Sequence, residues 1–274
     1  VSYYLAHNDS PDFLFTPDAD FPLCYGEKGL FGVTLKRDFE TVEERTNNAV
    51  ASFEGGVATN AVPALAQALV KTTREDIEEA LRACVNPDRI TFEEKVEGFF
   101  ISATGVSGHA SLPEGTVNAI GVLADFLARL SACSSEEQQW FAFVADLAQS
   151  NDGSAVGIAS ADKDFGLTSV VGTMKKIGGA YILTDDIRFP TSILGAELQE
   201  AFEKVAFQRG ASVEITRNQD PFLVNPNTAP VQALVDAYQE ATGLEVRPFT
   251  MGGATYAREF PHAVSFGPAD PEVI

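Results

Sequence analysis

Cysteine and basic residues are scarce in this sequence of 274 residues, and each scarcity excludes a class of protein. The three cysteines, Cys24, Cys84 and Cys133, are widely separated and form no Cys-x-x-Cys pair. An odd, sparse count argues against a disulfide framework and fits a reducing compartment, so we expect a cytoplasmic protein. Lys and Arg number 19 against 39 Asp and Glu, a formal net charge of -20. Because phosphate binding requires clustered Lys and Arg, neither nucleic acid nor an anionic membrane is expected as a partner.

Long apolar runs are also missing. No run of about 18 apolar residues predicts a membrane span, and no basic segment followed by an apolar one marks a signal peptide. The first residue is Val1 rather than Met, so we interpret both ends as candidate processing boundaries. Apolar residues still make up 45% of the chain, enough for a core, and the length allows two domains or one large one.

Strand-like and helix-like segments alternate along the whole chain. Apolar patterning predicts strands at 30–37, 90–105, 167–174, 179–188 and 246–250. Caps and periodicity predict helices at 73–83, 116–130, 134–149, 194–208 and 226–242. We therefore expect an α/β or α+β chain. Two blocks each contain a strand that opens on Gly-Leu, a Gly-Gly turn, another strand and an amphipathic helix, which indicates two copies of a small sheet-and-helix unit.

One histidine lies in a turn between a predicted strand and a predicted helix. Residues 99–105 form the strand-like run, and His109 follows it, next to Gly108. Pro113 and Glu114 are typical of a helix start. Because such turns often present a polar side chain, His109 is a candidate functional residue. The alternative is that His109 is a loop residue with no functional role.

Asp18 and Asn60 lie in two turns that favour ligand contacts. Asp18 follows Pro17 after a short predicted strand, where a carboxylate would suit zinc or a harder metal. Aspartate in a proline-rich loop also commonly forms a turn, and that alternative stays open. Asn60 comes after Gly55 and Gly56, which allow a sharp reversal, so its amide would either face a ligand or cap an Asx turn.

Two later segments suit the binding of an anionic group. Arg188 ends a predicted strand, where a guanidinium would hold a carboxylate through two hydrogen bonds. A salt bridge to Asp186 is the alternative. Gly252, Gly253 and Ala254 are small enough for close approach of the backbone, whose N–H groups would bind an anion. This segment lacks the strand, Gly-x-Gly-x-x-Gly and helix context of a dinucleotide site.

Taken together, these stretches resemble one family. They are similar to the cocatalytic di-zinc dipeptidases of the aminoacylase/carnosinase superfamily, and most of all to the bacterial PepV-type dipeptidases. The resemblance spans nearly the whole chain, and the matching stretches occur in the family's order: Thr16–Pro22 with Glu27–Gly29, Gly55–Pro63, Ser107–Ala119, Asp186–Pro190 and Met251–Phe260. Each stretch alone is a weak signal, whereas five in order are specific.

The resemblance implies a fold and a set of domain boundaries. The family has a zinc-peptidase α/β catalytic domain with two metals, and an inserted lid domain that closes over the substrate. In this chain, residues 1–28 and 221–274 would be pieces of the catalytic domain. Residues 29–220 would be the lid, the substrate-gripping domain built of two similar β-sheet/helix units.

The resemblance also implies roles for individual residues. Asp18 matches an aspartate that binds metal in the catalytic domain. Asn60 and His109 match lid residues that reach the substrate, and His109 would contact the oxyanion of the tetrahedral intermediate. Arg188 matches the lid arginine that binds the substrate's C-terminal carboxylate.

The chain departs from the family pattern at two points. In the loop that lines the carboxylate pocket, Gly252 and Gly253 match, but Ala254 replaces the usual third glycine. The other metal ligands and the general base, a glutamate of a Glu-Glu pair, have no match. His7-Asn8-Asp9 has the letters of the family's His-x-Asp motif, but no apolar strand precedes it. The Glu-Glu pairs occur in helical or charged contexts: Glu43-Glu44, Glu78-Glu79, Glu93-Glu94 and Glu136-Glu137.

We therefore expect a central slice of a longer enzyme. As given, it would be catalytically incompetent and would not bind zinc tightly. The parent would be a zinc-dependent metallopeptidase that hydrolyses dipeptides with a free C-terminal carboxylate, with two zinc ions, or manganese or cobalt, in the complete site. A homo-oligomer is compatible with the sequence. The alternatives are a non-enzymatic peptidase-like binding or dimerisation module, and an acylase or amidohydrolase of the same superfamily.

Overall fold

A computed structural model of the protein describes residues 1–39, 49–245 and 247–269. Its helices are α1 (Ser2–His7), α2 (Arg74–Ala83), α3 (Ala119–Leu127), α4 (Ser135–Gln149), α5 (Gly195–Gln208) and α6 (Ala229–Thr242). Its strands are β1 (Leu14–Thr16), β2 (Ala19–Asp20), β3 (Cys24–Glu27), β4 (Gly29–Asp38), β5 (Val50–Gly55), β6 (Ala61–Val62), β7 (Leu65–Val70), β8 (Ile90–Lys95), β9 (Gly98–Thr104), β10 (Gly108–His109), β11 (Thr168–Ile177), β12 (Ala180–Phe189), β13 (Ser212–Gln219), β14 (Phe222–Leu223), β15 (Phe249–Met251), β16 (Ala263–Ser265) and β17 (Pro268–Ala269). The mixed α/β class expected from the sequence is confirmed.

The larger sheet in the described part of the chain has eight antiparallel strands in the order β13-β4-β12-β11-β5-β7-β9-β8. It divides into two halves of four strands, which meet where β11 pairs with β5. Each half contains two adjacent strands, then a helix, then an edge strand: β5, β7, α2 and β8 in one, and β11, β12, α5 and β13 in the other. The fourth strand is β9 in the first half and β4 in the second. Along the chain, β9 follows the other strands of its half, whereas β4 precedes them. The two expected sheet-and-helix units stay a prediction, because the first was expected to open on the strand at 30–37, and that strand, β4, lies in the same half as β11 and β12.

The smaller sheet combines strands from both ends of the chain. It has the order β1-β16-β3-β14, and β15 pairs with β3 in parallel. The chain passes from this sheet to the larger one at a single residue, Lys28, between β3 and β4. It returns between β13 and β14, across residues 220–221. The expected lid boundaries at residues 28 and 220 stay a prediction, as does the assignment of the smaller sheet to a catalytic domain.

The main hydrophobic core lies between the larger sheet and helices α2 to α5. Every residue of α3 is buried. Asn118 caps this helix: its Oδ1 accepts from the N–H of Ile120 at 3.0 Å, and its Nδ2 donates to the carbonyl of Val171 on β11 at 2.8 Å. A smaller core of Leu23, Val231, Val235 and Val264 joins α6 to the smaller sheet. In the described parts of the chain, no helix is both long and apolar enough to cross a bilayer.

Several predicted elements differ from the structure at their ends. The helix predicted from Thr116 to Leu130 begins only at Ala119, because Val117 pairs with Val106 in an isolated β-bridge and Asn118 is the cap. The strand predicted at 246–250 corresponds to β15, and its first residue lies outside the described part of the chain. Strands β5 and β7, in the middle of the larger sheet, were not predicted at all.

A buried carboxylate in the larger sheet makes the stability of the fold depend on pH. Asp185 on β12 is 1% exposed, and its two oxygens accept from the Ser169 hydroxyl at 2.9 and 3.2 Å. Burial raises the pKa of Asp185 to about 7, and the Ser169 hydrogen bonds offset only part of that shift. Since the folded state holds this proton more tightly than the unfolded chain does, ionisation of Asp185 lowers stability.

We therefore predict that Asp185→Asn removes one pH-dependent component of stability. In the native protein, the Asp185 contribution to the free energy of unfolding should fall between about pH 4 and pH 7, by at most about 1.4 kcal/mol per pH unit, and level off above. Asn keeps an acceptor for Ser169 and has no charge to bury, so the variant should be the more stable one at pH 8. Urea unfolding of both proteins from pH 4 to pH 8 measures this, with Asp38→Asn at an exposed position as the control. Parallel curves for native protein and Asp185→Asn would contradict the prediction.

Candidate functional site

The loop after β15 lies at the centre of the candidate site. Strand β15 runs parallel to β3, with Met251 opposite Glu27, and therefore delivers Gly252, Gly253 and Ala254 next to the crossing between the two sheets. Thr255 then caps a short 3-10 helix, residues 256–259, because its hydroxyl accepts from the N–H of Ala257 at 3.1 Å.

A fully buried glutamate holds this loop in place. Glu27 is 0% exposed, and its Oε1 accepts from both the N–H and the hydroxyl of Thr255, the N–H at 3.0 Å. The Nε of Arg258 lies 3.2 Å from Glu27 Oε2. That separation makes an ion pair, but the N–H is not aligned with Oε2, which forms no hydrogen bond within the described structure. Burial raises the pKa of Glu27, whereas Thr255 and Arg258 favour the ionised form.

Arg188 stands at the carboxyl end of β12, and it is paired. Its Nε and Nη2 donate to the two carboxylate oxygens of Asp186, two residues earlier on the same strand, with 3.1 Å between Nη2 and Oδ2. Its Nη1 donates to the carbonyl of Gly252 at 3.3 Å. The structure thus contains the Asp186 salt bridge that the sequence left open as an alternative, and it also brings Arg188 to the predicted glycine loop.

His109 and Asn60 meet in a small antiparallel ladder. Strand β10 pairs with β6, which sets His109 opposite Ala61, and the N–H of Ala110 donates to the carbonyl of Asn60 at 2.9 Å. The N–H of Ser111 lies 3.1 Å from His109 Nδ1, and the Ser111 hydroxyl lies 2.8 Å from it. Because a backbone N–H only donates, Nδ1 is an acceptor, and the neutral ring carries its proton on Nε2. His109 is exposed and therefore presents an N–H donor to solvent.

The histidine loop and the glycine loop touch each other. A side chain at Gly252 would place its Cβ 2.7 Å from the Cβ of Ser111, closer than two such atoms approach. At Gly253 the nearest atom is only the end of the Met251 side chain. Ala254 is exposed, so its methyl group causes no crowding in the loop. The replacement of the third glycine by Ala254 is therefore compatible with the tight contact at Gly252.

Asp18 reaches the same loop from the other side. Its Oδ2 accepts from the N–H of Tyr256 at 2.9 Å, and its Oδ1 accepts from the hydroxyl of Thr16. Asp18 is exposed. Within residues 1–39, 49–245 and 247–269, no group of three or more His, Cys, Asp or Glu is placed to hold a metal ion. The described residues alone therefore do not make a zinc site, which needs three or four protein ligands.

The predicted site residues thus gather around one segment, residues 251–258. Arg188 bonds to Gly252, and Asp18 bonds to the backbone of Tyr256. The loop that carries His109 packs on Gly252 through Ser111, and Ala110 of the same loop bonds to the carbonyl of Asn60. The roles implied for these residues stay predictions, because proximity alone does not test them.

The residues set aside in the sequence lie elsewhere. His7 ends α1, and its Nδ1 lies 2.7 Å from the carbonyl of Tyr3 in its own helix. Three of the Glu-Glu pairs lie on α2, on the edge strand β8 and in the first turn of α4, where Glu137 completes a capping box with Ser134. The pair Glu43-Glu44 lies outside the described residues.

Sequence reasoning missed the residues that fix the loop. Glu27 and Lys28 were quoted as part of a matching stretch without a role, and Thr255 and Arg258 were not singled out. One signal was present: two charged residues interrupt an apolar strand pattern immediately before Gly29. Charged side chains are rarely buried unless they are paired, so their place between two buried strands could have marked them.

Comparison with known proteins identifies the family. The sequence profile of the M20 peptidase dimerisation domain matches residues 96–237, more than half of the 274-residue chain. The chain therefore belongs to the M20 peptidase family, through its peptidase dimerisation domain. The family resemblance inferred from the five motif stretches is confirmed.

Individual relatives are similar over almost the whole chain. A Beta-Ala-Xaa dipeptidase of Lactobacillus delbrueckii subsp. lactis is 28% identical over 280 residues, which cover 99% of this chain and 58% of the relative. A Staphylococcus haemolyticus protein, whose name marks it as an unconfirmed dipeptidase, is 29% identical over 96% of this chain and 58% of its own length. The chain thus spans less than two thirds of the length of these relatives.

A solved structure supports the fold. The aminoacylhistidine dipeptidase of Vibrio alginolyticus superimposes with a TM-score of 0.50 at 12% sequence identity, over 94% of this chain and 59% of that one. At this level of identity the likeness concerns the fold alone.

We predict that the contact between the two loops is sensitive to a single methyl group. Gly252→Ala should lower the free energy of unfolding by about 1–3 kcal/mol, since its Cβ meets the Cβ of Ser111 and one loop must move. Gly253→Ala is the matched control, because the flexible end of Met251 can move aside. Urea unfolding of both variants measures the difference, and equal losses at the two positions would contradict a tight contact at Gly252.

Proposed function

We propose that this chain provides the substrate-gripping part of a zinc-dependent M20 dipeptidase that hydrolyses dipeptides with a free C-terminal carboxylate. The observation that carries the proposal is the hydrogen bond from Arg188 to Gly252, which joins the predicted carboxylate-binding arginine to the predicted carboxylate-binding loop. The names of the relatives support the substrate class. In this proposal, residues 29–220 are the lid, and residues 1–28 and 221–274 belong to the catalytic domain.

In the proposed complex, Arg188 and the glycine loop bind the carboxylate of the dipeptide. A guanidinium has five N–H groups. Asp186 takes two of them and the carbonyl of Gly252 takes a third, which leaves one on each terminal nitrogen. A carboxylate that approaches this pair can accept from both nitrogens while it also meets the backbone N–H groups of Gly253 and Ala254.

His109 and Asn60 face the scissile bond in this proposal. The Nε2–H of His109 would donate to the oxygen that becomes negative in the tetrahedral intermediate. Asn60, whose carbonyl the ladder already holds, would present its side-chain amide beside it. Asp18 would be one metal ligand. Since the described residues do not complete a metal site, the roles assigned here are substrate binding and oxyanion stabilisation, and the choice of zinc rests on the family resemblance.

The surroundings of the thiols support a cytoplasmic location. Cys24, Cys84 and Cys133 are all free and buried, an arrangement suited to a reducing compartment. Among them, burial raises the pKa of the Cys24 and Cys133 thiols to about 12, which keeps both protonated and unreactive.

A non-enzymatic binding or dimerisation module is the second candidate, favoured by the match to a dimerisation domain. Such a module would bind a carboxylate through the same residues and would form homo-oligomers, but it would not catalyse hydrolysis. A full-length protein that binds dipeptides without hydrolysing them would favour this candidate.

The Arg188→Lys variant tests the substrate class. In the full-length protein, this variant should raise KM for a free dipeptide at least about tenfold, because a lysine offers a point charge in place of a fork of donors. The same dipeptide with an amidated C-terminus lacks the carboxylate, so the variant should change its kinetics much less. Steady-state kinetics of both substrates with both proteins form a double-mutant cycle. Equal penalties would make Arg188 a structural partner of Asp186 and would remove the main support for the dipeptidase proposal.

The His109→Ala variant tests the oxyanion role. Because the contact strengthens as charge develops, kcat should fall by about 10²-fold or more while KM changes little. Ser111→Ala is the matched control: it keeps the backbone N–H that bonds to Nδ1 and should therefore retain most of the activity. Near-normal turnover by His109→Ala would contradict the oxyanion role and leave His109 as a loop residue with no function in catalysis.

A further inference from the structure

Lys28 alone forms the first of the two crossings between the sheets, and it lies beside the glycine loop. Its N–H donates to the carbonyl of Met251 at 3.1 Å, and its carbonyl accepts from Arg258 Nη2 at 2.9 Å. The residue is only 8% exposed. These bonds hold the start of its side chain one residue from Gly252 and within the framework that Glu27 anchors.

The ammonium of Lys28 has no partner in the described structure. No acceptor among the described residues lies within hydrogen-bond or ion-pair distance of its Nζ. Glu114 and Arg188 are the charged groups near enough to act on it, the first attracting and the second repelling. Burial lowers the pKa of Lys28, as expected for a cation whose side chain is largely removed from water, and the attraction of Glu114 offsets only part of that shift. The ammonium itself keeps contact with solvent while most of the side chain is buried, so a ligand can reach it.

Two of the arginines at the site are already paired with carboxylates. Arg188 is neutralised by Asp186, with side chains 5% and 14% exposed, and Arg258 is neutralised by Glu27. Arg217 lies across Gly32 from Asp186 on the larger sheet, but it is exposed and bonds to Gln219. Of the cations around Gly252, Lys28 alone is both buried and unpaired among the described residues.

We propose that Lys28 is a second substrate-binding residue, whose ammonium supplies the uncompensated charge that draws the C-terminal carboxylate onto Arg188 and the glycine loop. This inference rests on the proposed dipeptide-binding function. Arg188 orients the carboxylate through the N–H donors of its guanidinium, whereas Lys28 provides the positive charge that the Arg188–Asp186 pair lacks. Glu114, on the loop that carries His109, then competes with the substrate for the same ammonium.

The test compares Lys28→Met with Lys36→Met, which removes an exposed lysine paired with Asp38. In the full-length protein, Lys28→Met should raise KM for a free dipeptide about tenfold or more and leave the amidated dipeptide within about twofold, with kcat little changed. Its melting temperature should equal or exceed that of the native protein, because methionine removes an unpaired charge from a largely buried side chain and keeps most of its length. Lys36→Met should change neither substrate.

A structural role for Lys28 makes the opposite predictions. If Lys28 served to pair with Glu114, then Lys28→Met and Glu114→Gln would both lower the melting temperature and would affect both substrates alike. Under the proposal, Glu114→Gln instead lowers KM for the free dipeptide. Equal changes for dipeptide and amide in Lys28→Met, or a raised KM in Glu114→Gln, would overturn the assignment.

Calorimetry separates this inference from the proposed enzyme activity. A full-length protein that binds a dipeptide without hydrolysing it would disprove the enzyme, while an increase in Kd confined to the free carboxylate in Lys28→Met would still support the assignment. A protein that hydrolyses dipeptides with unchanged KM in Lys28→Met would leave the enzyme standing and remove the role of Lys28. A protein that neither binds nor hydrolyses dipeptides would overturn both.

Discussion

The arrangement of the site depends on one buried carboxylate. Glu27 has no contact with solvent, and its hydrogen bonds to Thr255 tie the end of β3 to a loop 228 residues away in sequence. Because Arg258 pairs with Glu27 and also bonds to the carbonyl of Lys28, the same group orients both sides of the crossing between the sheets. Loss of this carboxylate would leave a buried guanidinium and a buried hydroxyl without their partner, so the loop and the crossing depend on it together.

Around this anchor, the two sheets contribute different chemistry to one place. The larger sheet brings Arg188 from a strand end, the separate ladder of β6 and β10 brings His109, and the smaller sheet brings the glycine loop and Asp18. The contacts between them include hydrogen bonds from the Arg188 and Arg258 side chains to backbone carbonyls, and one close approach at Gly252. Such contacts hold the predicted site residues with little freedom, as the first shell of a binding site requires.

Local signals made much of the fold predictable. The caps at Thr73 and Ser134 and the left-handed Gly243 mark helix ends where the sequence placed them. Strand β7, Leu-Ala-Gln-Ala-Leu-Val, was not predicted because its residues favour helices; pairing with β5 and β9 on its two sides outweighs that preference. In the site, the order of the motifs along the chain predicted which segments contribute residues. The partners of Glu27 and Arg258, however, follow from tertiary contacts, which the spacing of residues in the sequence does not encode.

The meeting of the two sheet halves at β11 and β5 has an evolutionary consequence. When two like units associate as a symmetric dimer, each substitution appears in both copies, so neither copy can specialise alone. Here the like-connected halves belong to one chain and carry separate sequences. One half supplies Arg188, and the loops of the other supply Asn60 and His109. Each half is therefore free to diverge, so substitutions that arise around Arg188 need not appear around Asn60 and His109.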